Sequence, residues 1–195
     1  AMVAAPGRDD EQVNGGALYL MYGQSTSGPK TATLDSAFDV KITGHVKGAR
    51  LGEGVEPQMG DIDGDGAVDM VVSAYAIETV YVFFDVSSLT GTVSTSSADA
   101  VIESISGPTA FGLGLTVGDA NGDGFDEIVV GAPDDDTSDP ASYATTEGAL
   151  YVFSGATFFA GRVTQNDASA RVNAAKISDG FGQSLSGVDP DGDGM

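Results

Sequence analysis

Apolar residues recur along the chain in three patterns. Unbroken apolar runs stand at "MVVSA" (70–74) and "IVVGA" (128–132), as in strands covered on both faces. Apolar and polar residues alternate in "VKITG" (40–44), "AVIESISG" (100–107) and "ARVNAAKIS" (170–178), which predicts half-exposed strands at the outside of a sheet. Aromatic-rich runs at "GALYLMYG" (16–23), "TVYVFF" (79–84) and "GALYVF" (148–153) give a third kind of strand. No segment carries a sustained helical stripe with caps, so the expected fold class is all-β. The connections at 23–36, 90–97 and 132–148 are rich in Ser, Thr, Gly, Pro and Asp and are expected to be surface loops.

These patterns belong to a repeat. "GDIDGDGAVDMVVSAY" (60–75) aligns without gaps on "GDANGDGFDEIVVGAP" (118–133), and "GVDPDGDGM" (187–195) begins the motif a third time. The first Asp of each copy is Asp61, Asp119 and Asp189. A full unit reads as a Gly-rich strand, an acidic loop, an apolar strand, an aromatic strand and an alternating outer strand. That predicts a sheet of four antiparallel strands, repeated as propeller blades. The segment 1–23 carries the second half of a unit and 179–195 the first half, so the termini are expected to share one blade. The expected organisation is a single domain over 1–195, with whole blades at 51–107 and 108–178 and half-blades at 1–50 and 179–195.

The acidic loops carry the candidate chemistry. Counted from the first Asp, oxygen ligands stand at positions 1, 3, 5 and 9: Asp61, Asp63, Asp65 and Asp69 in one loop, and Asp119, Asn121, Asp123 and Glu127 in the next. Gly64, Gly66, Gly122 and Gly124 allow the positive φ that so tight a curl needs. The carbonyls of Ala67 and Phe125, at position 7, can complete the shell. An all-oxygen set of this kind suits Ca²⁺ better than Mg²⁺, which demands a stricter octahedron. Position 12 is Val72 or Val130 rather than the Glu of an EF-hand, so the loop is a strand-to-strand turn. A third loop offers Asp189, Asp191, Asp193 and the Met195 carbonyl. As an isolated feature "DGDG" would be an ordinary hairpin turn, but three copies with acids at alternate positions crowd like charges that a cation must offset.

These residues resemble the FG-GAP repeat of integrin α-subunit propellers and of secreted bacterial proteins. "FGLGLTVGDANGDGFDEIVVGAP" (111–133) holds the Phe-Gly, the calcium loop and the Gly-Ala-Pro, and "FGQSLSGVDPDGDG" (181–194) holds the first half. The middle unit departs from the pattern: "LGEGVEPQMG" (51–60) replaces Phe-Gly, and Ser73, Ala74 and Tyr75 replace Gly-Ala-Pro. The resemblance implies a β-propeller with Ca²⁺ between the first two strands of each blade, and a non-enzymatic, extracellular role in adhesion or recognition. About three blades cannot close a ring. Either copies associate so that open edges pair, two chains giving six blades, or the chain is part of a longer propeller.

Composition narrows the partners. Eight Lys and Arg against 29 Asp and Glu give a formal charge of -21, which excludes a nucleic-acid binder and disfavours anionic membranes. No apolar run approaches the roughly 18 residues of a membrane helix, so a soluble chain is expected, and the resemblance implies that it is secreted. The absence of Cys excludes thiolate chemistry. No catalytic residues are assigned: Glu53, Glu56, Glu103 and Glu147 show no distinguishing pattern, and His45 is read as incidental. Tyr19, Tyr81 and Tyr151 recur at equivalent positions and are expected in the core. The expected ligand is a protein, with a lectin-like, glycan-binding propeller as the alternative.

Overall fold

The strands predicted from these runs assemble into three sheets in a computed structural model that describes residues 1–23, 38–135, 147–157, 161–174 and 180–187. The first sheet joins β1 (Met2–Ala5), β2 (Ala17–Leu20) and β3 (Val40–Thr43) with β7 (Gly91–Ser94). The second is ordered β12 (Gly161–Thr164), β8 (Ala100–Glu103), β6 (Thr79–Phe83), β5 (Asp69–Ala74) and β4 (Gln58–Gly60). The third is ordered β13 (Ala170–Asn173), β11 (Ala149–Phe153), β10 (Glu127–Ala132) and β9 (Gly114–Gly118). Among the described residues there is no α-helix, and no helix long and apolar enough to cross a membrane. The fold class is all-β.

Side-chain alternation puts the second sheet between two cores. Met70, Val72, Tyr81, Phe83 and Val101 pack with Leu18, Leu20, Val40 and Ile42 of the first sheet. From the opposite face Val71, Val80, Val82, Ala100 and Ile102 pack with Ile128, Val130, Tyr151 and Phe153 of the third. Each large apolar side chain so buried contributes about 1.5–3 kcal/mol, and both faces need one. That is why β5 reads as an unbroken apolar run. Tyr19, Tyr81 and Tyr151 are all buried, as their recurrence predicts.

Two features depart from the sequence reading. The stretch 90–97, expected to be a loop, forms β7, which leaves its own sheet and pairs in parallel with β3, Ile42 facing Val93. In the same way β12 leaves the third sheet and pairs in parallel with β8, Ile102 facing Val163. Each later sheet thus lends a strand to the one before it, and the sheets are not purely antiparallel sets of four. The second correction follows. The strands β3 and β8, expected to be half-exposed outer strands, are almost wholly buried because a borrowed strand lies outside each. Among the described strands, only β13 is exposed along its length.

The Phe-Gly turns fix how close the sheets come. Leu51-Gly52, Phe111-Gly112 and Phe181-Gly182 stand at equivalent points of the repeat, and all three glycines have positive φ, from 75° to 92°. Each faces the small residue at one equivalent position in the preceding sheet. A Cβ on Gly52 would lie 2.9 Å from Ala4 Cβ, one on Gly112 would overlap Ser73 Oγ, and one on Gly182 would lie 3.2 Å from Gly131 Cα. Ala4, Ser73 and Gly131 therefore substitute for one another because each is small enough to accept the next unit's turn.

Ser73 Oγ, buried in β5, has no hydrogen-bond partner among the described residues, but two aromatic–ionic clusters in the other sheets are matched. On the third sheet the buried Asp135 carboxylate accepts from the Tyr151 hydroxyl and pairs with Arg171 at 2.8 Å, whose guanidinium lies 5.1 Å from the Tyr151 ring centre. Burial, with Asp135 beside it, pushes the Tyr151 phenol far up. The first sheet repeats the arrangement with Lys41, which pairs with Asp10 at 2.7 Å and lies 5.5 Å from the Tyr19 ring centre. Replacing Asp135 with Ala leaves a buried hydroxyl without its acceptor, at about 1–3 kcal/mol. A urea melt of Asp135→Ala should show a loss of that size at unchanged slope.

Candidate metal centre

The loop 61–68 joins β4 to β5, and 119–126 joins β9 to β10. Both are curled by the same hydrogen bonds. The position-6 amide, from Gly66 or Gly124, donates to the position-1 carboxylate of Asp61 or Asp119, at 2.9 Å in each loop. The position-7 amide donates to position 5: Ala67 to Asp65 at 2.7 Å and Phe125 to Asp123 at 3.0 Å. The position-2 amide donates to position 9: Ile62 to Asp69 at 2.8 Å and Ala120 to Glu127 at 3.0 Å. Gly64, Gly66, Gly122 and Gly124 all have positive φ, between 72° and 88°, so the curl assigned to them is present in both copies.

In the first loop the curl brings one oxygen from each of Asp61, Asp63 and Asp65 within 4.8 Å of one another. Even at the dielectric constant of water such like charges repel by about 1 kcal/mol per pair. Asp61 Oδ1 is buried and has no hydrogen-bond partner, a costly state for a carboxylate oxygen. A hard divalent cation would relieve both penalties at once, and the all-oxygen donor set fits it. In the second loop Asp119 spends its oxygens on the amides of Gly122, Asp123 and Gly124. These amides, Gly124 foremost, hold its carboxyl below the usual range. The Asn121 side chain donates to Glu127 at 3.1 Å. Asp189, Asp191, Asp193 and Met195 lie outside the described residues.

Position 9 has a second duty. Asp69 and Glu127 are buried, and desolvation pushes both carboxyls up from their ordinary values. Asp69 accepts from the Ile62 amide and, at 2.9 Å, from the Asp85 amide, so it ties the loop base to the turn after β6. Removing it leaves two amides unmet, at about 2–4 kcal/mol. Asp69→Ala should therefore lower stability in chelator as well as in calcium, whereas the exposed Asp63→Ala should matter only in calcium. Melts of both variants under both conditions separate bracing from ligation.

Sequence reasoning missed the coupling between the loops. The Asp61 amide donates to Asp126 at 2.7 Å, and the Asp126 amide returns to the Asp61 carbonyl at 2.9 Å. The Phe125 ring covers Gly64, where any Cβ would overlap it. The only trace in the sequence is at position 8, where Val68 in one loop becomes Asp126 in the other. Two of the glutamates given no catalytic role are ion-paired, Glu53 with Arg50 and Glu103 with Arg162. His45 is half-buried, its Nδ1 2.7 Å from Thr95 Oγ1.

The repeat is recognised beyond this chain. Residues 111–153, from the Phe-Gly turn through the second loop to the end of β11, match the family model of the FG-GAP repeat. This is an FG-GAP repeat protein. Residues 61–130, from the first acidic loop to the strand after the second, match the FG-GAP-like repeat. The two acidic loops therefore both fall inside FG-GAP matches, and so do the glycines that curl them. The middle FG-GAP unit keeps its loop although Leu51 replaces Phe and Ser73 replaces Gly, because each substitute preserves the role described above: an apolar anchor and a small landing site.

Proposed function

We propose that the chain is a calcium-stabilised, non-enzymatic recognition module of propeller type that works outside the cell and binds a protein ligand. The observations that carry the calcium assignment are the cluster of Asp61, Asp63 and Asp65 and the buried Asp61 Oδ1 that no hydrogen bond meets. Asp61, Asp63 and Asp65 would hold the ion in the first loop, with the Ala67 carbonyl and Asp69 completing the shell. Asp119, Asn121 and Asp123, with the Phe125 carbonyl and Glu127, would do so in the second. A bound Ca²⁺ supplies charge neutralisation and rigidity.

The radial arrangement is supported by the way the sheets follow one another. Each Phe-Gly turn enters the preceding sheet, and the inner strands β4 and β9 touch where Gly60 faces Val117. FG-GAP membership supports a protein-interaction role and is typical of extracellular proteins. Equilibrium dialysis against Ca²⁺ should give at least two ions per chain, with dissociation constants on the order of 10⁻⁴ M. Asp63→Ala should remove one. Retention of no calcium at millimolar concentration would refute the metal assignment.

A further inference from the structure

Asp126, at position 8 of the second loop, is not among the residues that would hold either ion, yet it joins the two sites. It stands between Phe125 and Glu127, the residues that would complete the second shell. Its own polar groups turn to the first loop. One carboxylate oxygen accepts from the Asp61 amide at 2.7 Å, and the Asp126 amide donates to the Asp61 carbonyl at 2.9 Å. The peptide groups on both sides of Asp61, the first ligand of the first site, are thereby clamped to the backbone between two ligands of the second.

Packing closes the same junction. Gly60, just before Asp61, has no room for a side chain, because a Cβ there would overlap the Asp126 carboxylate and Val117. The Phe125 ring lies on Gly64, between Asp63 and Asp65 of the first loop. Gly155, in the turn after β11, reaches both loops at once: a Cβ on it would lie 2.4 Å from the Ile62 carbonyl oxygen and 2.6 Å from that of Asp126. Neither loop can shift without pressing on the other.

We infer that the two loops bind calcium cooperatively, each filled loop raising the other's affinity roughly ten-fold, and that Asp126 is the positioning residue that carries the coupling. The inference rests on the calcium reading above. With the second loop filled, the Phe125 carbonyl and Glu127 are fixed, and so is Asp126 between them. Asp61 then offers its carboxylate from a backbone already held, so the ordering cost falls once on the pair and not twice. Charge works in the opposite sense, since filling one loop weakens the negative potential at the other. The first loop has four carboxylates and the second three, so each stays net negative around a divalent ion, and the long-range effect is screened beyond about 8 Å at physiological salt. The hydrogen-bonded bridge is not screened in this way.

The position-6 amides report the loops separately, because Gly66 and Gly124 each donate to the first Asp of their own loop. Their amide NMR resonances are followed through a calcium titration of the full chain at physiological salt. Both should shift. The half-saturation of Gly124 should rise roughly ten-fold in Asp63→Ala, and that of Gly66 by the same factor in Asp123→Ala, since coupling is reciprocal. Adding Asp126→Val, which gives position 8 the residue type of Val68, should leave Gly124 indifferent to Asp63→Ala. Adding Asp126→Asn, which keeps an acceptor for the Asp61 amide, should preserve the response. Shifts of both amides at half-saturations that ignore the other loop's variant would overturn the coupling and leave the calcium reading standing, and that comparison needs no change at Asp126. Coupling that survives Asp126→Val would overturn the role given to Asp126. No shift of either amide at millimolar calcium would refute the calcium reading, and the coupling with it.

Discussion

Chelating divalent cations should lower the melting temperature of this protein by roughly 5–10 °C relative to millimolar calcium. Each loop with a dissociation constant on the order of 10⁻⁴ M gains about 1.4 kcal/mol at ten times that concentration. Two loops together give about 3 kcal/mol, and for a chain of this size about 1 kcal/mol moves the midpoint by roughly 2–4 °C. Asp61→Asn should remove about half of the calcium-dependent shift, since it changes the carboxylate that clusters with Asp63 and Asp65 and carries the orphaned oxygen. Scanning calorimetry with and without chelator measures both effects. A melt indifferent to chelator would mean that the acidic curl is held by its amide hydrogen bonds alone.

The second large effect is steric. Gly112→Val should cost about 2–5 kcal/mol and bring the protein close to unfolding. The residue has φ +92°, where an L side chain is strained by about 1–2 kcal/mol. Its Cβ would also overlap Ser73 Oγ in the adjoining sheet and press on Val80, and overpacking of this kind costs about 1–3 kcal/mol. The comparison is Gly91→Ala, also at positive φ (+67°) but with nothing within 4 Å of the new Cβ. That variant should lose only the backbone share, about 1 kcal/mol. Equal losses in the two variants by denaturant melting would remove the Phe-Gly turn from its assigned role in spacing the sheets.

What the sequence disclosed depended on whether the deciding contact was local. The acidic loops were legible because their curl is settled within nine residues: alternate acids, glycines between them, and amides returning to the first Asp. The unbroken apolar runs were legible because burial on both faces leaves no polar position. The borrowed strands were not. β7 (Gly-Thr-Val-Ser) and β12 (Gly-Arg-Val-Thr) are short segments with one Val each, too little apolar pattern to read as strand, and their partners lie about 50–60 residues away. The error then spread to β3, whose alternation read as exposure. Lys41 and Thr43 are instead polar and buried, because Lys41 reaches Asp10 and Thr43 reaches Glu11. Asp126 was hidden for the same reason: its partner, the Asp61 amide, belongs to another unit.

The lending of β7 and β12 bears on how such a chain could lengthen or shorten through recombination. A stretch of gene that encodes one sequence repeat does not encode one sheet, because the sheet it builds includes a strand translated from the following stretch. Duplicating a repeat inserts a donor together with an acceptor and leaves every existing ladder matched. Deleting by sheet boundaries would strip a ladder from a neighbour and leave buried positions such as Ile102 without their cover.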